Sequence, residues 1–517
     1  MAAFLFGTAT LQAQQLAFPG AEGFGRYATG GRTGSVYHVT NLNDNGPGSF
    51  RDAVSQPNRI IVFDVAGVIR INSRISISPN LYIAGQTAPG EGVTIYGNGL
   101  SFSGADNTIC RYLRVRMGIN GQKGTDAIGI SHGKNMIFDH VSAAWGRDET
   151  FSISGKHPED ITIQNCIIGQ GLVNHSAGGL VQTENRVTIY RTLYVNNNTR
   201  NPKFKGRHQY VNNIIYNWNA AAYIMGGNSQ MTSYANTVGN LFITGPMGKT
   251  NAFTRANERY HIYAKDNLLD DNRDGELNAR LIEREEYEGG PTFHETPFDY
   301  PELSTVEAST LMEEILPTVG ASLPYRDELD WLFVQDVQSL GKQGEQISDE
   351  ATLPIGAPDT WDMWKGHTPT DSDGDGMPDW WEKENNTNPN LDDAMTLKDG
   401  YANIEHYINS IDKKSSQPFV KAPIALKAES TNNQVTLSWK NFTNYDTKFV
   451  VEQLINGSFK TVKGTKANVT QCTIDNLTPN RSYTFRVRAK NKIGKSYYKL
   501  IEAKTKNNEN NTHQASN

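Results

Sequence analysis

Between residues 80 and 270 of the chain, short β-branched runs return at a nearly constant interval. Corner positions at Gln86, Tyr112, Asp139, Asn165, Arg191, Asn213, Asn240 and Asn267 are separated by 26, 27, 26, 26, 22, 27 and 27 residues. Similar short motifs mark the later corners: DHVSAAW, NCIIGQG, RTLYVNN, NNIIYNW, GNLFITG and DNLLDD. A period in this range marks a repeat architecture. The unit holds strands and turns but no amphipathic helix, and one rung of a parallel β-helix with three short strands needs about this length. Asparagine suits such a corner, because it tolerates the left-handed conformation and its amide can bond to the equivalent residue of the next rung. A sandwich would also supply short strands, but it would not hold the interval constant.

The pattern fades over residues 271–370, an acidic, proline-punctuated stretch in which 307–316 and 326–340 read as helices with Leu329, Leu332, Phe333 and Val337 on one face. It is expected to pack on the β-helix as a C-terminal extension. A linker spans 413–422, residues 423–505 alternate apolar and polar side chains as antiparallel strands do, and the polar tail KNNENNTHQASN follows. With 49 basic and 55 acidic residues the net charge is −6, too mild for an acidic tail protein and against a nucleic-acid binder. Cys110, Cys166 and Cys472 neither make a disulfide framework nor show zinc spacing, and each sits in an apolar run as a core residue. No apolar run reaches the ~18 residues that span a bilayer. At the N-terminus, residues 2–11 form an apolar stretch with Ala13 before a cleavage point, which reads as an export signal lacking its basic start.

Near the C-terminus Trp439 ends an early strand, and Tyr483 opens YTFRVRAKN after Leu477 and Pro479. This resembles a fibronectin type III domain, with Trp439 as the core tryptophan and Tyr483 as the tyrosine-corner residue; it reads as a spacer or accessory module. Upstream, residues 371–382 read DSDGDGMPDWWE. Asp371, Asp373, Asp375, Asp379 and Glu382 occupy positions 1, 3, 5, 9 and 12 of an EF-hand-type Ca²⁺ loop, Gly376 supplies the sharp turn at position 6, and Met377 offers its carbonyl at position 7. One such loop, followed by the helical GYANIEHYIN, reads as a structural clip between the catalytic and C-terminal parts and not as a sensor.

The chemistry gathers in four segments of the repeat: Thr125-Asp126; Trp145 through Ser152 with Arg147, Asp148 and Glu149; Asn174-His175; and Arg200 through His208 with Pro202, Lys203, Lys205 and Arg207. Rungs stack ~4.8 Å apart, so residues at matching positions meet in space. Asp126 and Asp148, 22 residues apart, then make a hard-oxygen site fit for Ca²⁺. Arg200, Lys205 and Arg207 form a basic cluster two to three rungs later. A calcium site facing a basic groove suits a polyanionic sugar. Asp139, His140 and His208 read as structural residues.

These segments resemble those of a pectate lyase of polysaccharide lyase family 1, over roughly residues 17–340. The opening AFPGAEGFGRYATGGRTGSVYHVTNLND and IVFDVAGVI are similar to bacterial members. Asp126…Phe138-Asp139-His140 and the Arg200-x-Pro202…Lys205…His208 segment resemble the family's motifs, the latter with contracted spacing. The resemblance implies an all-β, right-handed parallel β-helix, here over 16–340. A linker and calcium segment would follow at 341–412, then a fibronectin type III sandwich at 420–506 and a disordered tail at 507–517, with a signal peptide at 1–15. It implies Asp126 and Asp148 as Ca²⁺ ligands. Glu149 would stand beside them, because the family's third Asp position is Ser152 here. Arg200 would be the proton-abstracting residue, and Lys205 and Arg207 would bind uronate carboxylates. The family's third-segment lysine is missing, and His175 is the nearest polar candidate.

The implied reaction is β-elimination across de-esterified polygalacturonate, giving 4,5-unsaturated oligogalacturonides, with Ca²⁺ as cofactor. Arginine titrates above pH 12; basic neighbours and calcium would lower that, so an alkaline optimum is expected. The implied protein is secreted, periplasmic or at the bacterial cell surface, monomeric, and bound to neither membrane nor nucleic acid. The alternatives are a β-helix polysaccharide hydrolase, which would need paired carboxylates at glycosidase separation, a non-catalytic pectin-binding adhesin, and a pectin lyase independent of the Asp126/Asp148 pair.

Overall fold

The computed structural model describes residues 14–507 apart from 174, 249–250, 362, 415–419, 421, 442–445, 493 and 497. The export signal over its first thirteen positions, most of the linker and the tail from residue 508 lie outside the described residues. The chain forms two units: residues 1–349 with 365–412, and residues 350–364 with 413–517.

The first unit is a parallel β-helix of three sheets. One turn runs Ile128–Ile130, Lys134–Asp139 and Ser142–Ala144, one strand in each sheet, and the next turn repeats it at Phe151–Ser154, Glu159–Gln164 and Ile167–Gly169. The third sheet holds ten strands, and the last, Arg280–Leu281, pairs antiparallel and ends the stack. Strands alternate their side chains, so matching positions build interior columns. Ile61, Ile83, Cys110, Phe138, Ile163, Ile189 and Tyr210 stack in the second sheet. Ile69, Ile95, Val115, Ala143, Ile168, Tyr194, Ile215 and Phe242 stack in the third. Each fully buried aliphatic in these columns contributes roughly 1.5–3 kcal/mol.

The helix begins earlier than its repeat reads, with strands Ser35–Val39 and Arg59–Phe63 pairing ahead of Leu81–Ala84, where the repeat starts. The corner register also shifts. The left-handed residue is Tyr112, His140, Asn165, Arg191, Asn212, Gly239 and Asp266, so of the eight expected corners three stand and four move by one. The asparagine ladder occupies the position after it: Asn213 Nδ2 donates to Asn240 Oδ1 (3.0 Å) and Asn240 Nδ2 to Asn267 Oδ1 (2.8 Å). Thr192 and Cys166 continue that column with weaker partners, the N–H of Cys166 donating to Thr192 Oγ1 (3.3 Å). Gln86 lies in a short 3₁₀ turn, Gly85–Thr87.

Two helices form where expected, Leu311–Ile315 and Glu328–Gln338. The second lies on the third sheet. Its Phe333 fills the space that a side chain at Gly169 would take, and buried Arg116 bonds to Asp327 (2.9 Å) and Asp330 (2.8 Å).

The second sheet changes character along the stack. Its early strands RIIVF and LYIA are apolar on both faces, and the outward residues Ile60, Val62, Tyr82, Ile109 and Ile137 are buried. Met377, Trp381, Ala394, Ile404 and Ile408 cover them. Buried Arg32 reaches Glu405 (2.8 Å) across the same contact. Thus segment 365–412, with its helix Asn403–Lys414, belongs to the β-helix unit. Later strands alternate as one-sided strands do, presenting Thr162, Gln164 and Thr188 outward, where they bond to the chain near Glu22 and Phe24.

The second unit is an antiparallel sandwich of three and four strands with Trp439, Phe449, Val451, Phe485 and Val487 at its core. Tyr483 is a tyrosine corner: its hydroxyl accepts the Thr478 N–H at 2.7 Å.

Candidate active site and metal sites

The stacking of turns assembles the first site. Glu149, Ala177 and Thr199 pair side by side as parallel bridges, bringing Asp148, Glu149, His175 and Arg200 from three successive turns to one place. Asp126 lies one turn earlier, and its Oδ1 accepts the Glu149 N–H at 3.1 Å. Asp148, Glu149 and His175 each offer a ligand atom within 4.8 Å of the others. His175 Nε2 stands 3.4 Å from Asp148 and 3.7 Å from Glu149, so the candidate for a substrate contact sits among the carboxylates.

Burial, then the Glu149 and Asp148 charges, push the Asp126 carboxyl up to about 7. Crowded carboxylates with hard oxygen donors are what a divalent cation such as Ca²⁺ relieves, and Asp126, Asp148 and Glu149 fit it in charge and donor type. Arg200, in the left-handed conformation, closes the cluster by donating from Nη1 to Glu149 Oε1. The neighbour touching its guanidinium is therefore a carboxylate, where the sequence led us to expect only basic groups and a cation.

Beyond Arg200 a row of cations follows the outward face of the first sheet. Lys205 pairs in register with Gln182 and donates to its Oε1 at 2.7 Å. Lys203 lies on the same strand, Lys203–Val211, and its side chain crosses Gly227, where an added Cβ would meet Cε at 2.7 Å. Burial and then Lys205, Arg200 and Arg255 lower the Lys203 ammonium; burial and Arg200 lower that of Lys205. Neither Lys203 nor Arg255 carried a role in the sequence reading. Lys203 sat in an unspecified motif position, and Arg255 follows strand Phe253–Thr254 two turns on.

Arg207 is not brought to this row. Gly206, at φ +87°, turns the strand into the second sheet, where Arg207 stands between Arg186 and Tyr234 and donates to the Glu184 carbonyl at 3.1 Å. His208 points inward, stacked on Phe204, with Nε2 2.7 Å from the Tyr223 hydroxyl and 2.9 Å from that of Tyr260. Burial holds it down to about 3, so it is a neutral part of the interior. Asp139 is likewise structural, paired with Arg111 at 2.8 Å and accepting from Gln164 and Asn165. Arg147 ties down a loop through the Ile119 and Gly121 carbonyls.

The second acidic group is the loop at 371–382. Asp371 Oδ1 and Oδ2 accept the Gly374 and Gly376 N–H groups, each at 2.9 Å, and Asp375 Oδ1 accepts that of Met377 at 2.9 Å. Asp371, Asp373 and Asp375 converge, and Asp375 converges also with Glu382 and Asp393. Asp379, expected at position 9, instead takes the Ser372 N–H (2.8 Å) and hydroxyl (3.0 Å). Asp393 lies eleven residues past the end of the loop pattern, so no motif could have found it.

A family profile, the Fibronectin type III domain, matches residues 421–502. Among curated relatives, "Probable pectate lyase C" of Aspergillus flavus is 51% identical over 400 residues, covering 77% of this chain and 94% of that protein. The Aspergillus terreus protein of the same name is 50% identical over the same shares. Both relatives are fungal, where the opening segment led us to expect bacterial ones. Among solved structures, the major allergen from cedar pollen is 16% identical, with a TM-score of 0.43 over 58% of this chain and 92% of that one.

Proposed function

The chain belongs to the pectate lyase family, and we propose that it is a calcium-dependent enzyme cleaving de-esterified polygalacturonate by β-elimination to 4,5-unsaturated oligogalacturonides. One observation carries this reading: Arg200 stands between the Asp126, Asp148 and Glu149 carboxylates and the cationic row of Lys205 and Lys203 on one outward face. Calcium held by those carboxylates would supply the charge that acidifies a proton α to a uronate carboxylate.

The residues of the chain do the rest. Lys205 and Lys203 bind uronate carboxylates of a polymer that carries one charge per sugar. Arg200, in its neutral guanidine form, takes the C5 proton and becomes guanidinium, the C5–H electrons form the 4,5-double bond, and the C4 oxygen departs with the electrons of the C4–O bond, so no water enters the product. Glu149 orients Arg200 through its hydrogen bond. Arg207, on the adjacent sheet, is given no part. A second calcium belongs to the loop at 371–382. A polymeric substrate and the apolar Ala2–Leu11 stretch support action outside the cell. Among the described residues no helix is long and apolar enough to cross a membrane.

The test is ultraviolet absorbance of the unsaturated product on polygalacturonate, with and without chelator. The expected result is a calcium-dependent rise. New reducing ends without that absorbance would mean hydrolysis, and binding without either would mean an adhesin.

A further inference from the structure

In the loop at 371–382, Glu382 is fully buried, yet both of its carboxylate oxygens lack a hydrogen-bond partner. Asp373 Oδ2 is buried and unpartnered as well. Leaving a buried carboxylate unpaired is costly, and native proteins pair such groups or give them to a metal. Among the described residues no lysine or arginine pairs with Asp371, Asp373, Asp375, Glu382 or Asp393. Two groups of three carboxylates that share Asp375, with Glu382 set among them in a buried position, make a hard-cation site with a high ligand charge.

The second observation is where these ligands lie. Three of them, Asp375, Glu382 and Asp393, lie within two residues of one buried against the outer face of the second sheet. Asp375 precedes Gly376 and Met377, Glu382 follows Trp381, and Asp393 precedes Ala394. Gly376, at φ +93°, lies so close to the sheet that an added Cβ would meet Val36 at 2.9 Å and Val62 at 3.5 Å. Drawing the carboxylates together therefore fixes the very residues that cover Ile60, Val62, Tyr82 and Ile109.

We propose that Asp371, Asp373, Asp375, Glu382 and Asp393, with the Met377 carbonyl, hold one calcium ion, and that this ion is a clasp fastening segment 365–412 onto the first strands of the β-helix. Asp393 takes the place that the loop pattern assigns to Asp379. The clasp uses the same cation as the proposed lyase reaction at a different place, and it stands or falls separately from that reaction.

The experiment uses the full chain, stripped of metal and titrated with Ca²⁺ alone, read by calorimetry, thermal melting and hydrogen exchange of strands Arg59–Phe63 and Leu81–Ala84. Asp148→Ala removes an active-site ligand, so that the clasp is the remaining high-affinity site. In that background Glu382→Gln and Asp393→Asn should each weaken binding at least ~10-fold by removing ligand charge. Asp379→Asn should change it little. Calcium should raise the melting temperature and slow exchange in the two strands, and both effects should vanish in Asp393→Asn. With the Asp148 side chain restored, Asp393→Asn should turn over substrate normally at low temperature in saturating calcium. Glu382→Gln puts a neutral amide at a buried position; if that variant does not fold, half-buried Asp393 still decides the matter. Wild-type affinity in Asp393→Asn, or loss on Asp379→Asn instead, would overturn the assignment. Calcium binding that leaves exchange in both strands unchanged would overturn the clasp.

Discussion

The protein gathers carboxylates twice, by opposite means. The loop at 371–382 draws all but one of its acidic side chains from twelve consecutive residues and turns them inward, so that Glu382 has no exposure at all. The groove draws Asp126, Asp148 and Glu149 from two turns of the β-helix, and leaves the Asp148 side chain 42% exposed with a cation, Arg200, against Glu149. A cluster with Glu382 fully buried, which no lysine or arginine pairs with among the described residues and which His38 approaches only at Asp371, is suited to holding a metal. An open cluster with a guanidinium at its edge can hold a metal and still meet a substrate. Under the two proposals above, the same ligand chemistry serves stability in one place and reaction in the other, and the difference lies in what faces the carboxylates.

Removing calcium should produce the largest effect and strike both sites at once. Chelation should abolish turnover and lower the melting temperature, and back-titration should restore them with separate midpoints in the wild type. A single midpoint, lost in both readouts when Asp148 is replaced by Ala, would erase the distinction between the clusters.

Arg200→Lys comes next and probes the groove alone. It keeps the charge but moves the nitrogen and loses the planar fork that meets Glu149. A base must reach its proton at one position, so kcat should fall at least ~100-fold while melting and calcium affinity at the loop stay as they are. Near wild-type kcat across pH 7–10 would assign Arg200 an electrostatic part only.

Lys205→Ala is milder. A carboxylate contact present in both ground and transition states raises KM and leaves kcat. The expected result is a roughly tenfold KM increase, the scale of one charge-assisted hydrogen bond of ~1.5–3 kcal/mol. A fall in kcat with KM unchanged would move Lys205 into the reacting centre.

The two clusters also differ in how far the sequence disclosed them. The acidic cluster of the loop is legible because most of its residues are contiguous, and the structure departs from the pattern at one position. Asp379 is spent on Ser372, and Asp393 enters from outside. In the groove, the rung period was enough to bring Asp126, Asp148 and Arg200 together. It grouped Arg207 with Lys205, whereas Gly206 turns the strand and sets Arg207 on the adjacent sheet, which spacing does not reveal. The period itself rests on eight corner positions from Gln86 to Asn267, of which the asparagines at 213, 240 and 267 form a ladder. The rungs before residue 80 lie outside it, and RIIVF there is covered on both faces and carries no alternation to count.

The smallest effect is expected at Lys203, and it tests how far the cationic row extends from the reacting centre. Lys203 neighbours Lys205 and Arg200 closely enough for each to lower its ammonium, so it belongs to their field, yet its stem leads away over Gly227. It should therefore touch a sugar beyond the scissile bond. Lys203→Ala should raise KM a few-fold at low salt, leave kcat alone, and lose its effect near 0.5 M salt, where the Debye length has shrunk to ~4 Å. Gly227→Ala offers an independent view of the same contact. Its φ of +64° disfavours any side chain, and its Cβ would sit 2.8 Å from the Lys203 Nζ, so the ammonium must move. If the row reaches this far, the two variants should raise KM alike and the double variant should add little more. Independent, additive effects would mean that Gly227 acts through the backbone, and that the substrate-facing charge ends at Lys205.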